Sequence, residues 1–167
     1  MPSTVKARNA FLQALPLDVK NIYEFGSGWG GVAFALAKQC PTATIHAFEI
    51  SWLPWFISWF RKQNFGYYNL KIYRKNFFLA QLDQADVVVC YLYPGAMRRL
   101  KPFLEKSLKE DAWVLSNSFT IPLWKPKGVI SVNDFWKSEI YVYQMCYSVR
   151  LGTTAAIASP AKNKAIT

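Results

Sequence analysis

The sequence predicts an α/β fold: one doubly wound, mostly parallel sheet of seven strands, ending in an antiparallel hairpin. Three observations predict it. Strand-like runs alternate with helical stripes as far as residue 119, the order that builds parallel strands joined by crossover helices. Val87-Val-Val-Cys90 lies in a run that is apolar throughout, as a strand covered on both faces must be. The runs 128–134 and 139–149 then follow each other closely, with Asn133-Asp134 near the turn of a closing pair.

Each element has a local reason. Residues 5–15 read as a helix with Phe11, Ala14 and Leu15 apolar, stopped by Pro16. Residues 21–25 (NIYEF) are a short strand. After a glycine cluster, 31–39 (GVAFALAKQ) is a helix of small and apolar residues closed by Pro41. Residues 43–50 form the second strand, and Ser51 is a candidate N-cap for the aromatic helix 51–63. Strands follow at 69–76 and 85–93. In the helix 97–110, Met97, Leu100, Phe103, Leu104 and Leu108 share one stripe, and Pro102 kinks it or restarts it. Residues 112–119 are the fifth strand.

At 167 residues, with 52% hydrophobic content, the chain supports one domain with a real core, assigned to residues 1–152. Residues 153–167 are small, polar and basic, and are read as a flexible tail. The net charge of +10 favours an acidic partner, whether nucleic acid, an anionic membrane or an acidic protein; a solvated basic surface is the plain alternative. Cys40, Cys90 and Cys146 are scattered and odd in number, which fits a reducing, cytoplasmic compartment. His46 is the sole histidine and sits mid-strand, so a metal cluster is not expected, and a packed strand residue is. No signal-peptide pattern and no run of membrane-spanning length stand out.

The stretch NIYEFGSGWGG carries the chemistry. Gly26, Gly28 and Gly31 satisfy the dinucleotide spacing G-x-G-x-x-G, yet Glu24 stands two residues ahead of the first glycine. A carboxylate there repels a pyrophosphate seated at the following helix. S-adenosylmethionine has no phosphate; its amino acid end offers an ammonium to Glu24 and a carboxylate to the backbone N–H groups of the bend. Gly26, Ser27, Gly28 and Gly30 would form that bend. Glu49, at the end of the second strand, is placed for both ribose hydroxyls. Asn76 is a candidate for an adenine edge and Phe77 for its face, with Ile50 and Trp52 for the other face. In such folds ligands sit at the carboxyl rim of the strands, so one pocket is expected to gather these residues with Tyr93 and Pro94.

With Glu24, Gly26, Gly28 and Gly30 in the pattern acidic-x-G-x-G-x-G, the chain resembles class I S-adenosylmethionine-dependent methyltransferases, whose fold is a Rossmann-like sheet. A narrower likeness lies in YLYPGAMRRLKPFLEKSL and AWVLSNSFTIPLWKP. These resemble the ATP synthase c-subunit lysine N-methyltransferase family and its small bacterial relatives, with Phe119, Pro122, Trp124 and Pro126 at the matching spacing. The likeness covers residues 2–126. Two positions depart from it: Ser118 stands where a basic residue is common, and Tyr91-Leu-Tyr93-Pro94 replaces the Asn/Asp-Pro-Pro-aromatic motif of many amino methyltransferases.

The resemblance implies a protein lysine as methyl acceptor. Tyr93 and the Pro94 carbonyl are then candidates to orient the amine, and Asn117 and Trp124 to line its channel; core packing is the plain reading of Tyr93 and Trp124. The aromatic helix 51–63 is read either as buried against the sheet or as an interfacial helix at a membrane surface. Two other functions stay open: a methyltransferase for RNA or a small molecule, favoured by the charge, and a non-catalytic nucleoside-binding domain.

Overall fold

A computed structural model gives the fold, described over residues 4–146. Helix α1 spans Val5–Ala14 and is capped by Thr4, whose Oγ1 accepts the Ala7 N–H at 3.1 Å. Strand β1 (Asn21–Phe25) leads through the glycine bend into α2 (Gly31–Gln39), then β2 (Thr44–Phe48), α3 (Trp52–Phe65) and β3 (Leu70–Tyr73). Strand β4 (Val87–Cys90), α4 (Pro94–Ser107) and β5 (Trp113–Asn117) follow, then β6 (Gly128–Ser131) and β7 (Glu139–Gln144). The single sheet runs β3-β2-β1-β4-β5-β7-β6; the first five are parallel, and β7 is antiparallel to both β5 and β6. The expected doubly wound sheet with a closing antiparallel pair is therefore what forms.

Alternation along each strand splits the core in two. Ile22, Ile45, Ala47, Val87, Val89 and Leu115 pack with α1 and α2. Tyr23, Phe25, Phe48, Val88 and Val114 pack on the other face with Met97, Leu100 and Leu104 of α4. Two polar side chains lock the amino side of the sheet. The Asp86 carboxylate accepts the N–H groups of Lys20 and Asn21, both at 2.8 Å, and pairs with Lys109. Partial burial acts to raise its pKa, but the hydrogen bonds from Lys109, Asn21 and Lys20 outweigh it and hold the carboxyl below its ordinary range. The Asn69 amide lies 3.0 Å from the carbonyls of Ala37, Cys40 and Ala43, tying the end of α2 to the start of β2. His46 is a packed strand residue: its ring is sandwiched between Tyr23 and Tyr73, with centroids 4.5 and 5.9 Å away, and burial lowers its pKa.

Several boundaries differ from expectation. Strand β3 stops at Tyr73, and a 3-10 turn at Phe77–Leu79 takes the place of a helix before β4. Three residues fit no helical period, which is why the sequence does not show it. Strand β4 ends at Cys90, so Tyr91–Tyr93 leave the sheet, and α4 begins at Pro94 rather than Met97, using the proline at its first turn. Pro102 lies inside that continuous helix. Glu49 stands just past β2 and not within it. Ser51 takes the N-cap position of α3 without a side-chain capping bond. The largest difference is α3 itself: only Ser58 is fully buried, and most of its aromatics face outward. The proposed tail 153–167, and residues 147–149 of the last predicted strand, lie outside the described residues.

Candidate active site

At the carboxyl rim a cavity of about 280 Å³ opens between α1, the glycine bend, α3 and the end of β4. Glu24, Gly26, Ser27 and Gly28 line it, as the sequence leads one to expect of a ligand bend. So do Arg8, Phe11, Trp29, Val32, Arg61 and Tyr91, which sequence reasoning missed. Arg8 and Phe11 had one usable signal: they are three apart on α1 and so share a face. Nothing local marks Arg61 or Trp29.

Parallel pairing places Glu24 between Ala47 on one side and Val89 on the other, deep in the sheet. Its Oε2 is buried with no hydrogen-bond partner, as is the neighbouring Ser27 Oγ. Burial, opposed by the Ala33 N–H and reinforced by the charge of Glu49, pushes the Glu24 carboxyl up to about 8. A buried acid of this kind is an uncompensated site awaiting a cation or a donor. Across the start of α2 lies Arg8. A Cβ added at Gly31 would stand 3.7 Å from both its Cδ and its Nη1, so the guanidinium chain lies over the helix N-terminus. Helix N-terminus and arginine together favour an anion. One cavity thus offers an acid for a cation and a base for an anion, the pattern of charge that an amino acid head group carries.

Glu49 does not line the cavity but holds the bend: Oε2 accepts the Gly28 N–H at 2.8 Å and Oε1 the Ser51 N–H at 2.7 Å. From α3, Ser58 donates to the Gly28 carbonyl at 3.1 Å and Arg61 to the Trp29 carbonyl at 3.0 Å. Gly30 enters α2 at a positive φ of 78° and lies behind the bend against Phe34 and Ser58.

The remaining candidates spread along the rim outside this cavity. Ile50 is 66% exposed next to Glu49. Asn76 caps the 3-10 turn, its Oδ1 accepting the Phe78 N–H, and Phe77 stacks on Phe25 at 4.7 Å. Tyr93 and Pro94 are exposed, with the Tyr93 ring folded against Gly95. Asn117 is buried at the end of β5, beside Ser118. Trp124 packs edge-on to Tyr143 and donates its indole N–H to Glu105 at 3.0 Å, so it belongs to the α4-side core. The Cys90 thiol, pushed up to about 12 by burial, is an inert core group. Among the described residues no cluster of three or more His, Cys, Asp or Glu is placed to hold a metal.

A sequence model of the ANTKMT methyltransferase domain matches residues 24–128, from the buried acid to the start of β6. The chain belongs to the ANTKMT methyltransferase domain family. It is 30% identical over 148 residues to the human ATP synthase c-subunit lysine N-methyltransferase, covering 86% of this chain and 62% of that protein. It is 43% identical over 73 residues to a protein-lysine N-methyltransferase of Saccharolobus islandicus, covering 43% and 45%. The chain thus spans about half to three-fifths of the length of these curated relatives. Among solved structures it is similar to an RNA methyltransferase of Salinibacter ruber in complex with S-adenosyl-L-homocysteine (TM-score 0.73, 22% identity, 86% and 93% covered). A putative methyltransferase of Escherichia coli is also similar (TM-score 0.70, 16% identity, 86% and 87% covered). At these identities the structural likeness establishes the fold, that of the class I methyltransferases.

Proposed function

We propose that the chain is a methyltransferase that uses S-adenosylmethionine and methylates a lysine side chain of a protein, in the cytoplasm and at a membrane surface. One observation carries the cofactor reading: the buried Glu24 carboxyl, its Oε2 without a partner, shares a cavity with Arg8 at the start of α2. An amino acid end fits that pair; a pyrophosphate meets an acid. A volume of about 280 Å³ suits this end of the ligand, leaving the nucleoside to the open rim. The family supports the transfer chemistry, and the curated relatives support lysine as acceptor. The single sheet, whose strands run from Asn21 to Gln144, supports one domain over 1–152.

When bound, the cofactor supplies an activated methyl group on a sulfonium. The chain's own residues then bind and orient. Glu24 holds the ammonium, and Arg8 with the first N–H groups of α2 holds the carboxylate. Glu49 fixes Gly28 and Ser51 while its remaining lone pairs receive ribose hydroxyls. Asn76, Phe77 and Ile50 hold the adenine. Tyr93 and the Pro94 carbonyl orient the incoming amine on the attack axis. Asn117, at the buried end of β5, and Trp124 would back the channel from beneath the rim. The lysine attacks as the neutral amine, its proton leaving to water at this exposed rim.

Tritiated-methyl transfer into cell lysate tests the whole reading. Label in protein is expected. Label in RNA favours the second reading, for which the net charge of +10 is the supporting observation. No label in any fraction favours a nucleoside-binding domain. Replacing Glu49 by Ala leaves the Gly28 and Ser51 N–H groups without their acceptor and is expected to weaken S-adenosylhomocysteine binding at least ~10-fold. Unchanged affinity by calorimetry removes Glu49 from the site.

A further inference from the structure

We infer that the outer face of α3 docks the protein flat on an anionic lipid bilayer. This deepens the membrane part of the reading above and does not depend on its chemistry. Trp52, Leu53, Phe56, Trp59 and Phe60 are 38–56% exposed. Their spacing is that of one helical stripe, yet the stripe faces away from the sheet. Ser58 is the residue of α3 that is fully buried. The rings form a continuous layer, Trp52 on Phe56 at 5.5 Å, Phe56 on Trp59 at 6.2 Å and on Phe60 at 6.4 Å. An apolar face of this kind in water marks an interaction site.

Charge decides between the possible occupants. Helix α3 holds no acidic residue and carries Lys62, while Arg61 turns inward to the Trp29 carbonyl and the Phe34 ring. Arg74 and Lys75 are exposed just beyond β3. They adjoin exposed Ile50, because the Glu49 N–H bonds the Tyr73 carbonyl and sets the two strand ends side by side. The ion pairs among the described residues use Lys101 and Lys109 and none of Lys62, Arg74 and Lys75. Two copies of the face brought together would oppose cation to cation with no acid between them. Anionic headgroups instead complement the cations while the rings enter the boundary layer, where tryptophan and phenylalanine are favoured. Trp29 and Arg61 line the cavity, and Arg61 bonds α3 to the Trp29 carbonyl, so docking through α3 would hold the cavity wall close to the bilayer.

Vesicle co-sedimentation of the full chain tests this, using phosphatidylcholine alone and mixed with phosphatidylglycerol, at low and high salt. The protein is expected to partition onto the anionic vesicles at least ~10-fold more strongly, with the excess lost in high salt. The variant Phe56→Gln, Trp59→Gln, Phe60→Gln is expected to lose partitioning by ~100-fold or more. The pair Arg74→Glu, Lys75→Glu, at exposed positions, is expected to lose the anionic preference alone. Wild-type protein that stays unbound at low salt overturns the inference. So does a triple variant that binds as well as wild type, or one that turns a vesicle-indifferent dimer into a monomer; the last assigns the face to self-association. S-adenosylhomocysteine calorimetry on the same samples reads the cavity separately, so a failed cofactor site and a failed docking face give different results.

Discussion

Replacing Glu24 by Gln is expected to flatten the pH dependence of S-adenosylhomocysteine affinity and to stabilise the ligand-free protein at neutral and alkaline pH. The cause is the buried carboxyl, raised from 4.5 to about 8. Between those values the folded protein keeps a proton that the unfolded chain has released. The stability linked to this group is therefore fully present below pH 4.5 and is lost as pH rises through about 8. The loss approaches roughly 5 kcal/mol as an upper limit, from ~1.4 kcal/mol per pKa unit. Glutamine keeps the shape and cannot ionise, so its thermal unfolding should change less between pH 5 and pH 8 than that of wild type. Ligand binding reverses the sign. An ammonium beside Glu24 favours the carboxylate, so binding below pH 8 releases a proton. Wild-type affinity should then rise with pH by up to ~10-fold per unit toward the pKa. Calorimetry at several pH values, in two buffers of different ionisation enthalpy, reads both the slope and the proton. An identical slope in the Gln variant removes Glu24 from contact with the ligand's ammonium.

Gly30→Ala should cost more than any other small change in the bend. The backbone there has φ +78°, and an added Cβ would meet Phe34 Cε2 at 2.7 Å and Ser58 Oγ at 3.0 Å. Neither neighbour can yield. Phe34 is buried edge-on to Tyr67 and under the Arg61 guanidinium, and Ser58 is fully buried and bonded to the Gly28 carbonyl. Backbone strain and overpacking together should destabilise by about 3–4 kcal/mol. Gly28→Ala is the contrast. Its φ is +52°, but the added Cβ meets nothing within 4 Å and stands at the cavity wall. It should cost about 1 kcal/mol in folding and at least ~10-fold in ligand affinity. Denaturant melts and calorimetry on the two variants separate the roles. A Gly30→Ala protein as stable as wild type would contradict the packing described.

The parts of the site that could be read from the sequence are those written within one βαβ unit. Glu24, the glycines and Glu49 lie within a few turns of one another, and their spacing implies their geometry. Arg8 and Arg61 reach the same cavity from α1 and α3, so only the packing of the helices reveals them. Pro94 reads as part of a rim motif, and that reading hides the helix start it supplies a turn ahead of Met97. The aromatic stripe of α3 is legible as a stripe but not as to which way it faces. Periodicity gives the arc of a helix; the neighbours decide its direction, and here Ser58 turns inward to the glycine bend. Trp124 shows the same limit: its spacing resembles the family, while its partners, Tyr143 and Glu105, come from distant elements.

The two bonds from α3 to the bend carry a mechanical consequence. Ser58 and Arg61 grip the carbonyls of Gly28 and Trp29 from a helix that has little else buried. Any load that tilts this helix is passed to the peptide units that cradle the ligand. By thermodynamic reciprocity, whatever factor lipid contact applies to ligand affinity, a filled cavity must return to lipid affinity.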